Sequence, residues 1–328
     1  MLFIDNQGIT DPRVNLAIEE FALKHLPPEE DYLLFYINEP SIIIGKNQNT
    51  LEEINAEYVE RNGIHIVRRL SGGGAVYHDL GNLNFSFITK DDGQSFHNYR
   101  KFTEPVVQAL RQMGVEAELS GRNDIQVGER KISGNAQFAT KGRMFTHGTL
   151  LFNSEMENVA SALKANPEKF KSKGVKSIRS RVANISEFLK EPMTIEQFRQ
   201  SLLSSIFGGG EVQEYRLTDK DWETIRSISE SRYRNWDWTY GRSPEFNVRE
   251  VRRLSTGTFD VRLHVVGGII RQASIYGDFF GVGEVADVEG RLKDVRYDAA
   301  SVREALAGLD LKQYFGPLEE EEFYSLLF

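Results

Sequence analysis

The stretch Arg68-Arg69-Leu70-Ser71-Gly72-Gly73-Gly74-Ala75-Val76-Tyr77-His78-Asp79 is the strongest local feature of the sequence, and a strand-like run, 64–67, precedes it. Three consecutive glycines let a backbone approach a ligand closely and turn its N–H groups toward anionic oxygens. Two adjacent arginines supply fixed positive charge of the kind that binds phosphate. A glycine-rich turn without a ligand explains the same glycines, so this stretch alone leaves both interpretations open.

Two widespread nucleotide-binding motifs do not fit this stretch. A Walker A loop needs Gly-Lys followed by Ser or Thr at a fixed offset, and that combination is absent from it. The dinucleotide-binding pattern Gly-x-Gly-x-x-Gly with its downstream acidic residue is not matched either. Any nucleotide would therefore be bound in another way.

A second candidate site lies in residues 121–135, Gly-Arg-Asn-Asp-Ile-Gln-Val-Gly-Glu-Arg-Lys-Ile-Ser-Gly-Asn. The pattern predicts two short strands around a central turn. Strand alternation places Lys131, Ser133 and Asn135 on one face and Ile132 on the other. The lysine could thus project into a site, although an exposed hairpin lysine is the simpler interpretation.

A third candidate is the run Thr146-His147-Gly148-Thr149-Leu150-Leu151-Phe152-Asn153. His147, like His78 in the glycine-rich stretch, is a candidate catalytic base because histidine titrates near neutral pH. A lone histidine more often has a structural role, so both interpretations stay open here. The histidines show no spacing that is typical of metal ligands, and the sequence leaves any metal ligands unknown.

The composition limits the class of protein. The 328 residues are 40% hydrophobic and 27% charged, which allows a sizeable core and argues against global disorder. The formal net charge of −8 disfavours non-specific nucleic-acid binding, which needs clustered Lys and Arg. The chain has no cysteine, so disulfides, cysteine metal sites and a thioester on the enzyme are excluded.

One segment opposes the acidic trend. Between Lys164 and Arg181 there are seven basic residues and a single acid, Glu168. A solvated basic face is the simpler interpretation of such a run on charge alone. A loop that binds phosphate or an acidic partner is the alternative.

The N-terminal residues carry no targeting signal, because Met1-Leu2-Phe3-Ile4 is followed at once by Asp5. The longest apolar runs, such as 32–37, are far shorter than the roughly 20 residues of a transmembrane helix. We therefore expect a soluble cytoplasmic protein that binds neither membranes nor nucleic acid.

Strand and helix signals are mixed before the C-terminal part of the chain, which favours an α/β or α+β fold with a sheet core. Asp11-Pro12 is typical of a helix start. Ser154 with Glu157, and Thr194 with Gln197, have the spacing of capping boxes ahead of apolar-periodic helices.

A domain boundary is predicted where an aromatic cluster at 236–240 precedes the breaker run 241–244, Gly-Arg-Ser-Pro. The following segment alternates between apolar and polar residues, and Gly267-Gly268 predicts a hairpin within it. The sequence thus predicts a large domain, 1–246, and a small α+β domain, 247–328.

Taken together and in this order, these stretches resemble the lipoate–protein ligase A family. The resemblance covers the block Arg-Arg-x-Ser-Gly-Gly-Gly-Ala-Val-[Phe/Tyr]-His-Asp-x-Gly-Asn, which continues here through Gly81-Asn82. It also covers Ser120–Asp124, Lys131–Gly134, His147–Leu151 and Lys173–Val182, so it spans nearly the whole chain.

The resemblance implies an ATP-dependent enzyme that makes lipoyl-AMP from lipoate and passes the lipoyl group to a lysine of a lipoyl domain. The implied acceptors are E2 subunits of 2-oxoacid dehydrogenase complexes and the H protein of the glycine cleavage system, and octanoate is a second candidate substrate. The implied fold is a large mixed-sheet catalytic domain of the biotin/lipoate ligase type with a small C-terminal accessory domain. Mg²⁺ is expected with ATP.

The family motifs also imply roles for individual residues. Lys131 matches the lysine that contacts both the acyl group and the AMP phosphate, and it is the predicted catalytic residue. Asp124 is a candidate for orienting the acceptor lysine, or else it stabilises a turn after Asn123. The other implied contacts are Arg69, Gly74, Ala75, Val76 and Tyr77 for ATP and the adenylate; Gly72, Gly73 and His78, beside Lys131, for lipoate; and Lys173, Gly174, Ser177, Arg179 and Arg181 for a flexible adenylate-binding loop.

Three other functions share parts of this pattern. An ATP-independent octanoyl or lipoyl transferase of the same fold uses a catalytic cysteine, which this chain lacks. Biotin ligation is disfavoured because its Gly-Arg-Gly-Arg-x-Gly signature is absent. A non-catalytic protein that binds lipoyl-AMP or a lipoyl domain is disfavoured because Lys131, Arg69 and the glycine turn are all intact.

Overall fold

The computed structural model describes residues 1–121, 123–163, 181–240 and 247–327. Its strands are β1 (Leu2–Asp5), β2 (Tyr32–Ile37), β3 (Ser41–Ile44), β4 (His65–Arg68), β5 (Val76–His78), β6 (Asn82–Lys90), β7 (Ala117–Ser120), β8 (Asp124–Val127), β9 (Arg130–Thr140), β10 (Arg143–Leu151), β11 (Glu214–Tyr215), β12 (Val248–Leu254), β13 (Gly257–Val266) and β14 (Ile269–Gly277). Its α-helices are α1 (Pro12–His25), α2 (Thr50–Glu53), α3 (Ala56–Arg61), α4 (Tyr99–Gln112), α5 (Met156–Ala162), α6 (Ile195–Ile206), α7 (Asp219–Ile228), α8 (Trp236–Thr239), α9 (Val285–Leu292), α10 (Ala299–Leu306), α11 (Leu311–Phe315) and α12 (Glu320–Tyr324).

The largest sheet has eight strands in the order β11-β1-β2-β6-β10-β9-β8-β7. Strand β1 runs parallel to β2 and to β11, whereas the pairs from β2 through to β7 are antiparallel. The sheet is therefore mixed. The predicted α/β fold with a large mixed sheet is confirmed.

Both faces of this sheet are buried, and the alternation along β2 shows why. Leu33 and Phe35 point into one hydrophobic cluster, which also contains side chains of α4 and α6. Leu34 and Tyr36 point into the opposite cluster, which contains the apolar face of α1. Successive strand side chains face opposite sides, so a strand covered by helices on both sides has no polar face.

The helix ends follow the sequence signals in most places. Asp11 accepts a hydrogen bond from the backbone N–H of Arg13, and Thr194 forms the predicted capping box with Gln197. The predicted capping box at Ser154 is wrong, because α5 begins two residues later and the Ser154 hydroxyl has no hydrogen-bond partner within the described part of the chain.

A second, small sheet holds the glycine-rich stretch. Its order is β4-β3-β5, with β3 parallel to β4 and antiparallel to β5. The glycines connect β4 to β5, so they cross the end of this sheet. Gly73 has φ +89°, a conformation that side-chain-bearing residues rarely adopt.

The C-terminal residues form a third sheet, β12-β13-β14, and the predicted hairpin is its β13–β14 pair. Its inward side chains share a hydrophobic core with helices α9 to α12. The segment after β14 packs against the glycine turn, since a Cβ atom added to Gly72 would lie 2.5 Å from the carbonyl oxygen of Phe279.

The predicted domain boundary falls beside residues 241–246, which lie outside the described residues, so it stays a prediction. The separate hydrophobic core of the C-terminal sheet agrees with two units. Among the described residues, no helix combines the length and the apolar character that crossing a membrane requires.

Candidate active site

A cavity of about 150 Å³ brings the three sequence motifs together. Its wall includes Arg69 and residues 73–76 from the glycine-rich stretch, Lys131 from the hairpin and His147 from β10. The apolar part of the wall is formed by side chains from α1, β2, β3, the glycine turn, β5, β9 and the C-terminal unit: Leu16, Tyr36, Ile43, Ala75, Val76, Ala136 and Phe280.

Seven of the predicted site residues line this cavity: Arg69, Gly73, Gly74, Ala75, Val76, His78 and Lys131. The side chain of Tyr77 lies instead in the hydrophobic cluster of the small sheet, because alternation along β5 turns it away from Val76 and His78. Gly72 packs beneath Phe279 rather than in the wall. The roles implied for Tyr77 and Gly72 stay predictions.

Arg69 fixes the shape of the glycine turn. Its side chain is buried and donates to the carbonyl oxygens of Gly72 and Gly74 at 2.6 and 2.8 Å, and to that of Ile43 at 3.0 Å. Burial lowers the pKa of Arg69 to about 10. Its positive charge therefore lies directly behind a turn of small residues in the cavity wall.

A series of buried hydrogen bonds connects Arg69 to β10 and α1 behind the cavity wall. Arg69 Nε donates to Ser71 Oγ at 2.9 Å, and this hydroxyl lies 2.7 Å from His147 Nε2. His147 Nδ1 lies 2.9 Å from a carboxylate oxygen of Glu19. A carboxylate only accepts, so Nδ1 donates and Nε2 is left to accept from the Ser71 hydroxyl.

This Ser–His–Glu arrangement has the connectivity of a catalytic triad but not its accessibility. Ser71 is completely buried and is absent from the cavity wall, and its oxygen already accepts from Arg69. These hydrogen bonds therefore hold the glycine turn against β10 and α1. Both ring nitrogens of His147 are used in this way, which favours the structural interpretation of that histidine.

Replacing Ser71 with Ala should lower the free energy of unfolding by about 1–3 kcal/mol, because two buried nitrogens lose their partner. Urea unfolding followed by circular dichroism measures this. The exposed Ser227→Ala serves as the control and should change stability by less than about 0.5 kcal/mol. Equal stability of the two variants would contradict the bracing role.

Lys131 lies at the open end of the cavity. Its side chain is 38% exposed and its Nζ is 2.8 Å from a carboxylate oxygen of Asp124. A Cβ atom on Gly134 would come within 2.8 Å of the same Nζ, so this glycine leaves room for the ammonium group. The predicted facing of β9 is confirmed only in part: Ile132 lies in the core and Asn135 lines the cavity with Lys131, but Ser133 is buried outside the cavity wall, because the β8–β9 register shifts here and interrupts the alternation.

The end of the basic segment meets Lys131 through the backbone. Val182 forms a parallel bridge with Lys131, and the N–H of Ala183 donates to the Lys131 carbonyl at 2.9 Å. The predicted loop residues Lys173, Gly174, Ser177 and Arg179 lie outside the described residues. Arg181 is described and immediately precedes the bridge.

His78 is the other histidine of the wall, and its surroundings differ from those of His147. Its Nδ1 is 2.9 Å from Asn38 Nδ2, whereas its Nε2 is buried without a partner among the described residues. Burial and the nearby Arg69 lower the pKa of His78 to about 3. A general-base role near neutral pH needs a higher pKa, so His78 is a neutral group of the wall.

Arg68, next to Arg69, points to the opposite side of β4. Its guanidinium donates to the carbonyl oxygens of Gly45, Lys46 and Gln48 and to the Thr50 hydroxyl, all within 3.0 Å. It also donates to two carbonyls of α8. This arginine therefore clamps the segment before α2 onto α8.

Phe280 is a residue of the wall that sequence reasoning missed. It follows β14, and its ring would lie 2.6 Å from a Cβ atom on Gly73. Lys46 and Glu284 form an ion pair of 3.0 Å beside this contact. No local sequence pattern predicts the role of Phe280, because about 200 residues separate it from the glycine turn in the sequence.

The arrangement suits a reaction between an acid with an apolar chain and a phosphate compound. The apolar wall can surround a hydrocarbon chain, while the ammonium of Lys131 supplies positive charge beside the small residues of the glycine turn, where an anionic oxygen could approach. No His, Asp and Glu side chains form a cluster of three or more that could hold a metal, within the residues that the structure describes.

Two family descriptions match the chain. Residues 11–207 match the family described as the lipoyl protein ligase A/B catalytic domain, and residues 243–327 match the bacterial lipoate protein ligase C-terminus. The chain is 64% identical to the lipoate-protein ligase LplJ of Bacillus subtilis and 57% identical to lipoate–protein ligase 1 of Staphylococcus aureus. Both alignments cover 100% of each chain.

Solved structures agree with these relatives. The structure of Plasmodium falciparum LipL1 in complex with lipoate is similar with a TM-score of 0.78 and 25% identity, over 99% of this chain and 96% of that one. A lipoate-protein ligase A bound with ATP is similar with a TM-score of 0.63 and 29% identity, over 73% of this chain and 98% of that one.

Proposed function

Because the chain belongs to the lipoate–protein ligase family, an enzyme family that forms an amide bond, we propose that it activates lipoate with ATP and transfers the lipoyl group to a lysine of a lipoyl domain. One observation carries the proposal. A single cavity joins an apolar wall to Lys131 and to the glycine turn backed by Arg69.

The first step brings two anions together. An oxygen of the lipoate carboxylate attacks the α-phosphorus of ATP, a new P–O bond forms, and the bond to the β-phosphate breaks to release pyrophosphate. Lys131 and the N–H groups of the glycine turn stabilise the charge that develops on the phosphate oxygens. Arg69 supports this indirectly, because it holds the turn through its carbonyls.

The second step forms the amide. A neutral lysine amine of the acceptor attacks the carbonyl carbon of lipoyl-AMP, and the bond to the AMP oxygen breaks. A free lysine has a pKa near 10.4, so the amine must lose a proton as it docks. Asp124, at the mouth of the cavity beside Lys131, is our candidate for orienting that amine.

The small molecules follow from the same proposal. Relatives have been solved with lipoic acid or ATP bound, and the cavity here has both an apolar and a cationic part. Mg²⁺ belongs to the proposal as the companion of ATP. Mg²⁺ is commonly held by phosphate oxygens and one or two carboxylates, and Asp124 is a carboxylate at the cavity mouth.

The proposed acceptors are E2 subunits of 2-oxoacid dehydrogenase complexes and the H protein of the glycine cleavage system. One similar structure is an archaeal bi-partite ligase described together with its E2 lipoyl domain. We place the reaction in the cytoplasm, where ATP is available. Residues 173–182 are proposed as the adenylate-binding loop, which ends at the backbone of Lys131.

Docking of an acidic lipoyl domain should weaken as salt rises, because the basic segment attracts it through charges that mobile ions screen. We expect about tenfold weaker affinity between low and high ionic strength. Calorimetry with an isolated lipoyl domain measures this. A variant with Lys169, Lys171 and Lys173 changed to Gln should lose most of the salt dependence. An affinity that stays flat with salt would contradict this role.

The test of the function is lipoate-dependent release of pyrophosphate from ATP, followed by mass spectrometry of an added lipoyl domain. We expect release with lipoate alone and a lipoyl adduct on the acceptor lysine. Transfer only from supplied lipoyl-AMP would indicate a transferase that needs another activating enzyme. Binding of lipoyl-AMP with neither release nor transfer would indicate a non-catalytic binding protein.

A further inference from the structure

A buried hydrogen-bond donor lies in the wall of the cavity without a protein partner. His78 is 4% exposed and lines the cavity, and its Nε2 has no hydrogen bond among the described residues. Unpaired buried polar atoms are rare and costly, and a site that binds a ligand is one reason for them to persist. His147, by contrast, has partners for both ring nitrogens.

Buried asparagines determine which nitrogen of His78 carries the proton. The amide nitrogen of Asn15 donates to the backbone carbonyls of Ile9 and Ile37, which can only accept, so the orientation of this amide is fixed. The two hydrogens of this amide serve the two shortest contacts, the Ile9 carbonyl and Asn38 Oδ1, both at 2.9 Å, and the Ile37 carbonyl at 3.3 Å shares one of them. The Asn38 oxygen is thereby used, so the Asn38 nitrogen faces His78.

The consequence for His78 is a single tautomer. Asn38 Nδ2 donates to Nδ1 of the ring at 2.9 Å, so Nδ1 accepts and the proton of the neutral ring resides on Nε2. The lowered pKa keeps the ring neutral at physiological pH. His78 is therefore a neutral N–H donor and not a cation.

His78 and Lys131 belong to different parts of the cavity wall, because Asn38, which contacts His78, follows β2, and β6 and β10 lie between β2 and β9 in the sheet. Asn15 and Asn38, which support His78, adjoin the apolar wall residues Leu16 and Tyr36 on α1 and β2. Lys131 lies on β9 and is 38% exposed. The carboxylate must stay with the cationic end, so the part of the acid beside His78 is the far part of its chain.

We propose that the Nε2–H of His78 binds a sulfur of the lipoate dithiolane ring, and that Asn38 and Asn15 are positioning residues that hold it as a donor. This inference rests on the proposed function and specifies the substrate class. Beyond its carboxylate, lipoate offers only sulfur as an acceptor, whereas octanoate offers none. An octanoyl chain would leave this donor unpaired, and a site built around a polar contact rejects analogues that lack it.

The test compares lipoate and octanoate as ligands of the full-length enzyme, by calorimetry and by the KM of pyrophosphate release. We expect the wild type to bind lipoate more tightly. His78→Phe should weaken lipoate roughly 3- to 10-fold, the loss typical of one hydrogen bond, and should leave octanoate unchanged or slightly tighter. His264→Phe in β13, outside the cavity wall, is the matched control and should change neither affinity.

A second variant tests the positioning role. Asn38→Leu removes the donor to Nδ1 but leaves Asn15 its two backbone carbonyls. Nitrogen NMR of the chain labelled in its six histidines should show the wild-type His78 protonated only on Nε2, with His78→Phe assigning the signal. In Asn38→Leu we expect a mixture of tautomers and a partial loss of the lipoate preference.

Several outcomes would overturn the inference. If His78→Phe weakened the binding of lipoate and octanoate equally, the contact would lie at the carboxylate. If His78→Phe did not weaken lipoate binding at all, the sulfur contact would not exist. A wild-type His78 protonated on Nδ1 would also contradict the inference. Lipoate binding that responds to His78→Phe in an enzyme that releases no pyrophosphate would uphold this contact while contradicting the ligase function. The two proposals therefore fail separately.

Discussion

Lys131→Ala should lower lipoate-dependent pyrophosphate release by roughly 10²–10³-fold, the usual effect of removing one electrostatic contact to a transition state. The ammonium of Lys131 lies at the exposed end of the cavity, where we propose that the carboxylate and the α-phosphate meet. The loss should appear mainly in kcat, because the contact strengthens as charge develops on the phosphate.

The exposed Lys90→Ala, at the end of β6, controls for the loss of a positive charge elsewhere and should retain wild-type activity. Lys131 is paired with Asp124 and half-exposed, so the folded state should tolerate its removal. A folded Lys131→Ala enzyme that releases pyrophosphate at a near wild-type rate would contradict the catalytic assignment.

Arg68→Met should lower the free energy of unfolding by about 3–5 kcal/mol, or prevent folding at 37 °C. The guanidinium of Arg68 is buried and serves several carbonyls of the segment 45–48 and of α8 at once. Methionine fills a similar volume but donates no hydrogen bond, so these carbonyls would lose their partners in a place that water does not reach.

Urea unfolding measures this loss, and Arg216→Met is the control because the side chain of Arg216 is 90% exposed. We expect the control to change stability by less than about 0.5 kcal/mol. If both variants were equally stable, the buried clamp would have no energetic role. A stable Arg68→Met enzyme that had lost only ATP binding would instead assign Arg68 to the nucleotide.

The two adjacent arginines show how far sequence reasoning extends. The motif predicts positive charge for a phosphate from both arginines, and only the family resemblance singles out Arg69. In the structure Arg69 lies in the cavity wall and Arg68 holds a loop on the other side. Both arginines donate hydrogen bonds to backbone carbonyl oxygens. Such contacts cannot be predicted from the pattern of residue types.

The hairpins and helix starts were predictable because their signals are local. The β13–β14 turn, the β8–β9 turn and the cap at Asp11 each depend on a few neighbouring residues. The capping box at Ser154 failed because the chain there serves a distant partner: its backbone N–H donates to Asn184 Oδ1 at 2.9 Å. A tertiary contact thus replaced the local one.

The parts of the site that escaped prediction all come from long-range packing. Phe280 approaches the glycine turn from the C-terminal unit, and Asn15 of α1 and Asn38 after β2 form the hydrogen bonds that lead to the predicted His78. Single asparagines and phenylalanines occur throughout the sequence, so composition and spacing cannot single these out. Only the arrangement of the strands brings them together.

The burial of Arg69 has a consequence for how the two half-reactions respond to their surroundings. Its charge acts from behind the turn, where dissolved ions cannot approach, whereas the basic segment that we propose for docking attracts its partner through solvent. Potassium chloride added to the assay would leave the contacts of Arg69 with the turn unchanged but would screen the exposed charges of Lys131 and of the basic segment, so we expect it to slow docking of the acceptor more than adenylate synthesis. Assays at low and high ionic strength would therefore distinguish the adenylation step from the transfer step.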